Sequence, residues 1–302
     1  MNIEDIYKIY QQFPSIQTDT RKLQKGDIFF ALKGPNFNGN NFAKQALDMG
    51  ADYVVADEPL PFEDERIIKV KDVLNTLQQL AKYHREQFHI PFIAITGSNG
   101  KTTTKELLHE VLSTTFKTYT TKGNLNNHIG IPLTILKIKP DAEIAVIEMG
   151  ASHLNEISGY CEYAQPTHGL ITNIGKAHLE GFGGEANIKK GKGELFDYLK
   201  NHEGIAFVNT DDAAVFDLSQ SMKNNIYYGS KSGNAKGNIL KNDPFIEVKI
   251  EGKESLNIET KLVGAYNLPI VISGVCVVKY FKRDEKKIKK AIEKYSPSNS
   301  RS

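Results

Sequence analysis

FIAITGSNGKTTTKELLHEVL, residues 92–112, is the stretch that decides the fold. Phe92 to Thr96 are apolar or β-branched and read as a buried strand. Gly97-Ser98-Asn99-Gly100 then forms a loop, and Lys101-Thr102-Thr103 opens a helix with Leu107, Leu108, Val111 and Leu112 on one face. Glycines let backbone N–H groups curl around an anion, and the helix N-terminus adds partial positive charge. Lys101 can reach the outer phosphates of a nucleotide, and the Thr102 hydroxyl can ligate magnesium. The spacing is the short form G-x-x-G-K-T, with Ile95 where the longer phosphate-loop pattern has its first glycine. A Gly/Asn turn followed by a capping threonine is the competing reading, but strand, loop and helix arrive in the order a phosphate loop needs.

Outward from this stretch the pattern alternates strand, loop and helix. KTYTT (117–121), IAVIE (144–148), LITNI (170–174) and IAFVN from Ile205 are further strand candidates, separated by helical segments. A mostly parallel, doubly wound α/β sheet follows, with ligands beyond the carboxyl ends of its strands. Beyond residue 225 the strands read as shorter and antiparallel. Upstream, Asp27 to Leu32 and Tyr53 to Ala56 are short strands of a smaller α/β unit. NFAKQALDMG has helical spacing and a Gly50 C-cap, and 72–88 is an amphipathic helix whose His84 reads as a core-edge residue. Pro91 marks the boundary, giving one domain over 1–88 and a second over 89–297.

Composition limits the function classes. The 302 residues are 40% hydrophobic and 25% charged, which excludes a disordered chain. Net charge is +2, and the basic excess is confined to 279–294, so no nucleic-acid partner is expected. The longest apolar run, Leu268 to Val278, is about half the ~20 residues of a membrane span, and no membrane insertion is expected. MNIEDIYKIY is too acidic for a signal peptide, and Cys161 and Cys276 form neither a disulfide framework nor a zinc motif. A reduced, cytoplasmic protein is expected.

TGSNGKTTTKE, KGNLNNHIGIP (122–132), EMGA (148–151) and TNIGKAHLEGFGG (172–184) occur in an order and spacing that resemble the Mur ligase family of bacterial cell-wall synthesis. TDTRKLQKGDIFFALKGPNFNGNNF (18–42) is similar to the UDP-binding domain of the branch that adds D-alanyl-D-alanine. The resemblance implies a UDP-binding first domain, an ATP-binding P-loop second domain, and a third domain absent here, with 298–302 as the stub of the hinge toward it. It also implies an ATP-dependent amide ligase, inactive as this fragment alone, that joins D-alanyl-D-alanine to a UDP-N-acetylmuramoyl-tripeptide through an acyl phosphate. A monomer is expected.

The site residues follow from the same resemblance. Gly97 to Thr103 would hold ATP, with Asn209, Asp211 and Asn267 contacting its nucleoside; Tyr266 stands where the family usually has histidine. Thr102, Glu148, His178 and Lys192 would gather around Mg2+, Lys192 as a CO2-derived carbamate, and Lys101, His178 and Lys192 would carry the catalysis. Asn124, Asn126 and Asn127 would line the muramoyl-peptide side, although an Asn-rich turn explains them equally. Asp19, Thr20, Arg21 and Asn38 would lie near the uridine diphosphate, with Arg21 equally readable as a surface ion-pair partner. EMGA in place of Ser-Ser-His at this position argues against the branch adding the third peptide residue, and the UDP-domain resemblance against a folylpolyglutamate-type ligase. A P-loop nucleotide-binding protein without ligase activity is the alternative from a different class.

Overall fold

The structure is a computed structural model that describes residues 1–176, 179–252, 255–282 and 285–297. They form two compact units: 1–89 with 128–139, and 90–127 with the chain from Pro140 onward. The N-terminal segment contributes α1 (Ile3–Gln12), β1 (Ile16–Gln17), β2 (Ile28–Phe30), β3 (Lys33–Gly34), β4 (Phe37–Asn38), α2 (Ala43–Asp48), β5 (Tyr53–Ala56), β6 (Ile67–Lys69) and α3 (Val73–Arg85). Strands β1-β2-β5-β6 form a parallel sheet, and β3 pairs with β4 as a small hairpin. Asp72 caps α3 by accepting a hydrogen bond from the Asn75 N–H, and the predicted apolar stripe of that helix is buried at Val73, Leu77, Leu80 and Ala81.

The chain continues through β7 (Phe92–Thr96), α4 (Lys101–Ser113), β8 (Thr118–Thr120), α5 (Gly130–Ile135), β9 (Ile144–Glu148), α6 (Glu156–Ala164), β10 (His168–Ile171), α7 (Leu179–Phe182), α8 (Glu185–Asn201), β11 (Ile205–Asn209), α9 (Ala213–Ser219), β12 (Asn225–Gly229), β13 (Ala235–Asn242), β14 (Ile246–Glu251), β15 (Leu256–Glu259), α10 (Leu268–Tyr280) and α11 (Glu285–Lys294). The sequence reading places residues 128–139 in the second domain, but they pack with the first unit. The reason is apolar: Ile131, Ile135 and Leu136 are buried, and α5 lies against α3. Polar groups pin the same segment. His84 Nε2 lies 2.8 Å from the Ile138 carbonyl, the Tyr7 hydroxyl lies 3.0 Å from His84 Nδ1, and the Tyr10 hydroxyl donates to the Leu136 carbonyl.

In the second unit the sheet order is β15-β14-β13-β12-β11-β10-β7-β9-β8. Parallel pairing runs from β8 through β13, so β12 and β13 extend the parallel sheet beyond residue 225, and only β13-β14-β15 are antiparallel. Leu170 joins the apolar core that α4 and α10 cover, while its neighbour Gly169 lies against Leu195 and Leu199 of α8. Helices therefore cover both faces, as a doubly wound sheet requires. The apolar run at 268–278 is α10, buried almost all round against α4, β12 and β13. Among the described residues no helix is long and apolar enough to cross a membrane.

Strand β7 sits between β9 and β10, so chain connections leave it in opposite directions and a crevice opens at its carboxyl end. Register sets Glu148 level with Ile95 and Ile171 level with Thr96. The loop at 97–100, the end of β9 and the start of the 172–176 loop therefore emerge side by side. Sequence reading runs the strand through 174, but β10 ends at Ile171: the Thr172 N–H makes a last bond to the Thr96 carbonyl, and the side chains of Thr172 and Asn173 turn to the Asn99 carbonyl.

Candidate active site

The loop after β7 is shaped by two glycines. Gly97 has φ +139°, and a Cβ there would come within 2.0 Å of Thr172 Oγ1. Gly100 has φ +77° and forms the left-handed entry to α4. The 172–176 loop grips this segment from outside. Ser98 N–H donates to the Asn173 carbonyl, Asn99 N–H to Asn173 Oδ1, and the Thr172 hydroxyl to the Asn99 carbonyl at 2.6 Å. Ser98 Oγ lies 3.0 Å from the Gly175 carbonyl and 2.9 Å from the Gly175 nitrogen. The amides of Ser98 and Asn99 are therefore spent on the protein. The first turn of α4, whose N–H groups have no acceptor within the helix, is what remains to meet an anion.

Lys101 folds back over the loop, its ammonium 2.8 Å from the Gly97 carbonyl and 3.0 Å from that of Ser98. Burial pushes its pKa below the ordinary lysine value, and the Glu148 charge opposes that shift. The Thr102 hydroxyl donates to Glu148 Oε1 at 3.1 Å, and the Asn126 amide donates to the same oxygen at 2.8 Å. Glu148 is only 1% exposed, its own N–H donates to Thr121 Oγ1, and its second oxygen, Oε2, accepts no hydrogen bond. A buried carboxylate beside a threonine hydroxyl, with its second oxygen accepting no hydrogen bond, suits a hard divalent cation, so these residues fit magnesium.

Lys192, on α8, is 1% exposed. Its ammonium donates to the Ala151 carbonyl at 2.8 Å and stands 5.1 Å from the centre of the Phe182 ring. Burial first, and Lys101 second, bring its pKa down to about 8 against the pull of Glu156 and Glu194. Glu194 itself accepts from the Asn155 and Ser158 N–H groups, fastening α6 to α8. Thr102 and Glu148 thus meet by contact, and the charge of Lys101 acts on both Glu148 and Lys192. His178 lies outside the described residues.

A cavity of about 1150 Å³ opens beside the loop. It is lined by Ser98 to Thr104, Thr172, Asn173, Asn209, Asp211, Asp212, Tyr266 and Asn267, among others. Asn209 is buried, its Oδ1 accepting from Asp211 N–H. The Asp211 carboxylate is engaged in the protein, accepting from the Ser230 N–H at 2.6 Å and the Ser230 hydroxyl at 3.0 Å. Asn267 donates to the Val263 carbonyl, and Tyr266 stands 69% exposed at the rim. Asp212 is the residue that sequence reading missed. Its Oδ1 caps α9 at Ala214 and Val215, and its Oδ2 accepts from Ile174 N–H in the loop that grips the glycines. The signal was there in the D-A-A-V start of a helix.

The asparagines of 122–127 divide. Asn126 donates to Glu148, whereas Asn124 and Asn127 are exposed in the same loop. In the first unit, Asp19 caps a short 3-10 turn at Thr20–Lys22 and grips Arg21 through both oxygens, at 2.9 and 2.7 Å. That ion pair holds the Asp19 carboxyl down at about 2, and the Arg21 side chain is 87% exposed. Asn38 belongs to a different group. It donates to Glu58 and accepts from Asn40, which is paired with Asp57.

Comparison with known proteins gives this arrangement a context. The Mur ligase middle domain profile matches residues 95–278, and the profile of the Mur ligase family catalytic domain matches 12–85. The chain is 41% identical over 198 residues to the UDP-N-acetylmuramoyl-tripeptide–D-alanyl-D-alanine ligase of Bacillus subtilis, covering 65% of this chain and 43% of that protein. The MurF structure from Acinetobacter baumannii superposes with a TM-score of 0.88 at 29% identity, covering 97% of this chain and 68% of that one. MurF ligase from Thermotoga maritima, solved in complex with ADP, gives 0.83 at 27% identity over 94% of this chain and 66% of that one. The chain spans about half the length of the curated relatives it matches. Since the middle-domain profile takes in well over half of its residues, and solved MurF structures share its fold along nearly all its length, the chain belongs to the Mur ligase family.

Proposed function

We propose that this chain carries the carboxylate-activating site of an ATP-dependent ligase that joins D-alanyl-D-alanine to UDP-N-acetylmuramoyl-tripeptide, acting in the cytoplasm in peptidoglycan precursor synthesis. One observation carries the reading: Thr102 and Glu148 are hydrogen-bonded at the carboxyl end of β7, with Lys101 within reach of the same carboxylate's charge, beside a cavity large enough for a nucleotide. The naming of the curated relatives supports the substrates, and the ADP of the Thermotoga maritima structure supports the nucleotide. Two buried free cysteines suit a reducing compartment.

The chemistry has to turn a carboxylate into an electrophile. The tripeptide carboxylate attacks the γ-phosphorus of ATP, the bond to the bridging oxygen breaks, and ADP leaves with the electron pair. The acyl phosphate is then attacked by the amine of D-alanyl-D-alanine, and phosphate departs as the amide forms. Two anions must meet in the first step, so fixed positive charge is the main requirement. Lys101 and the first-turn amides of α4 supply it from this chain, once the lysine exchanges its loop carbonyls for phosphate oxygens. Thr102, Glu148 and Lys192 would hold magnesium, which when bound adds charge neutralisation at the phosphates.

Lys192 enters that set as a carbamate. A buried amine with pKa about 8 keeps a larger neutral fraction than an ordinary lysine. The neutral amine attacks CO2, loses one proton and becomes an anion. Lys192→Ala should abolish ligation, and chloride or formate should restore part of it; unchanged activity in Lys192→Ala overturns the carbamate. The ligase reading is tested by phosphate release from the protein carrying this chain, supplied with ATP, Mg2+, the tripeptide and D-alanyl-D-alanine. Release should require every component. Nucleotide binding by folded protein without substrate-dependent release would leave only a nucleotide-binding protein.

A further inference from the structure

Lys105 follows the threonines of the phosphate loop by one turn of α4 and is 3% exposed. Its ammonium lies 3.5 Å from Glu148 Oε2, the carboxylate oxygen that accepts no hydrogen bond. The other oxygen is the one served by Thr102 and Asn126. Lys105 also reaches the Gly123 carbonyl at 3.4 Å, in the loop that carries Asn126. It does not belong to the cavity lining, which takes Thr104 and Glu106 from either side of it. A buried lysine beside a buried glutamate costs desolvation at both ends, and a methionine of similar volume would fill the same space without that cost.

We propose that Lys105 is the resident counter-ion of Glu148, which keeps a divalent cation from settling on that carboxylate until nucleotide phosphates arrive with it. The inference rests on reading Glu148 as a metal carboxylate. Two lysine ammoniums act on the single Glu148 carboxylate, Lys105 at 3.5 Å and Lys101 through its charge. A bare cation entering that group meets net positive charge, and a cation brought with a polyphosphate does not. Lys105 is thus a positioning residue: it stands outside the cavity lining and acts through Glu148. By reciprocity, whatever it takes from the affinity for free metal appears as dependence of metal binding on nucleotide.

The test titrates Mn2+ into the protein and follows unbound Mn2+ by electron paramagnetic resonance, with and without a non-hydrolysable ATP analogue. The wild type and Lys105→Arg should bind Mn2+ weakly alone and tightly with the analogue. Lys105→Met should bind Mn2+ alone at least about tenfold more tightly than wild type, because an opposing charge within 4 Å is gone. The gain should vanish in Lys105→Met/Glu148→Gln. A structural role for Lys105 would instead weaken binding in both conditions. Should Lys105→Met fail to fold, the wild type still decides: millimolar Mn2+ alone should leave its Tm unmoved, and adding the analogue should raise it. Mn2+ binding by the wild type that needs the analogue, with no gain in folded Lys105→Met, overturns this inference and leaves the metal reading standing. No binding even with the analogue removes both, and a rise in Tm with Mn2+ alone that Glu148→Gln abolishes overturns the counter-ion role.

Discussion

Replacing Gly97 with alanine tests the architecture of the phosphate loop at the point where it has least room. A residue at φ +139° lies in a region that is nearly glycine-only, at a cost of about 1–3 kcal/mol. The new methyl would also meet Thr172 Oγ1 at 2.0 Å and the amide nitrogens of Thr172 and Asn173 at 3.0 and 3.1 Å. The threonine must swing away, losing its 2.6 Å hydrogen bond to the Asn99 carbonyl, worth about 1 kcal/mol. Together these come to about 2–4 kcal/mol. In a unit of some 200 residues that lowers Tm by at least about 4 °C. Scanning fluorimetry measures it without nucleotide, and calorimetric titration with Mg-ADP should show binding weakened at least about tenfold, since the first turn of α4 shifts with the loop. A second substitution separates the two causes. In a Thr172→Ala background, the clash with Oγ1 is gone and Gly97→Ala should cost about 1 kcal/mol less, with the backbone cost remaining. A Gly97→Ala protein within about 0.5 kcal/mol of wild type, binding Mg-ADP normally, would refute the reasoning.

Three more outcomes follow. Asn126→Ala removes one of two donors to Glu148 Oε1 and should weaken ADP binding at least about fivefold in Mg2+ but not in EDTA, as measured calorimetrically; equal loss in both would show that Asn126 does not act through Glu148. Lys192 has a folded-state pKa of about 8 against an ordinary 10.5, so the unfolded chain binds the extra proton between those values and stability rises with pH across that window. In CO2-free buffer Lys192→Met should therefore flatten the Tm profile between pH 8 and 10.5 and be more stable than wild type near pH 7; parallel profiles would contradict the buried ammonium. Asp212→Ala removes the cap of α9 and the acceptor for Ile174 N–H, for a loss of about 1–2 kcal/mol by denaturant titration, whereas Asp212→Asn should keep most of the cap; equal losses in the two would mean the cap is not what Asp212 contributes.

The loop at 97–103 could be read from the sequence because it belongs to a motif of fixed local spacing, whereas Glu148 and Lys192 are singled out through the resemblance to the Mur ligase family. A strand that feeds a glycine loop and then a helix needs no knowledge of distant residues. Asn126 and Lys105 were harder, since both act through Glu148, and their roles appear only when β9 lies beside β7 and α4. Asp211 lines the cavity, as its position after a strand leads one to expect, but the Ser230 donors to its carboxylate come from the turn after β12 and leave no local signal. Thr172 and Asn173 read as strand because their neighbours are β-branched, and their side-chain bonds to Asn99 mark the point at which the chain leaves the sheet. The extension of the parallel sheet through β13 was hidden for a different reason: only residues 230–234 join β12 to β13, a connection short enough to read as a hairpin, yet Tyr228 pairs with Ala235 in parallel.

The discontinuity of the first unit governs how the protein can be dissected. A fragment ending at His89 would keep α3 but shed Ile131, Ile135 and Leu136, uncovering the apolar side of that helix and stranding the His84 imidazole and the Tyr10 hydroxyl without their carbonyl acceptors. Such a piece should aggregate when expressed alone. Splicing 128–139 onto its end through a flexible tether should return it to solution, so the natural unit for isolated ligand studies is a chimaera of two stretches that the gene keeps thirty-eight codons apart.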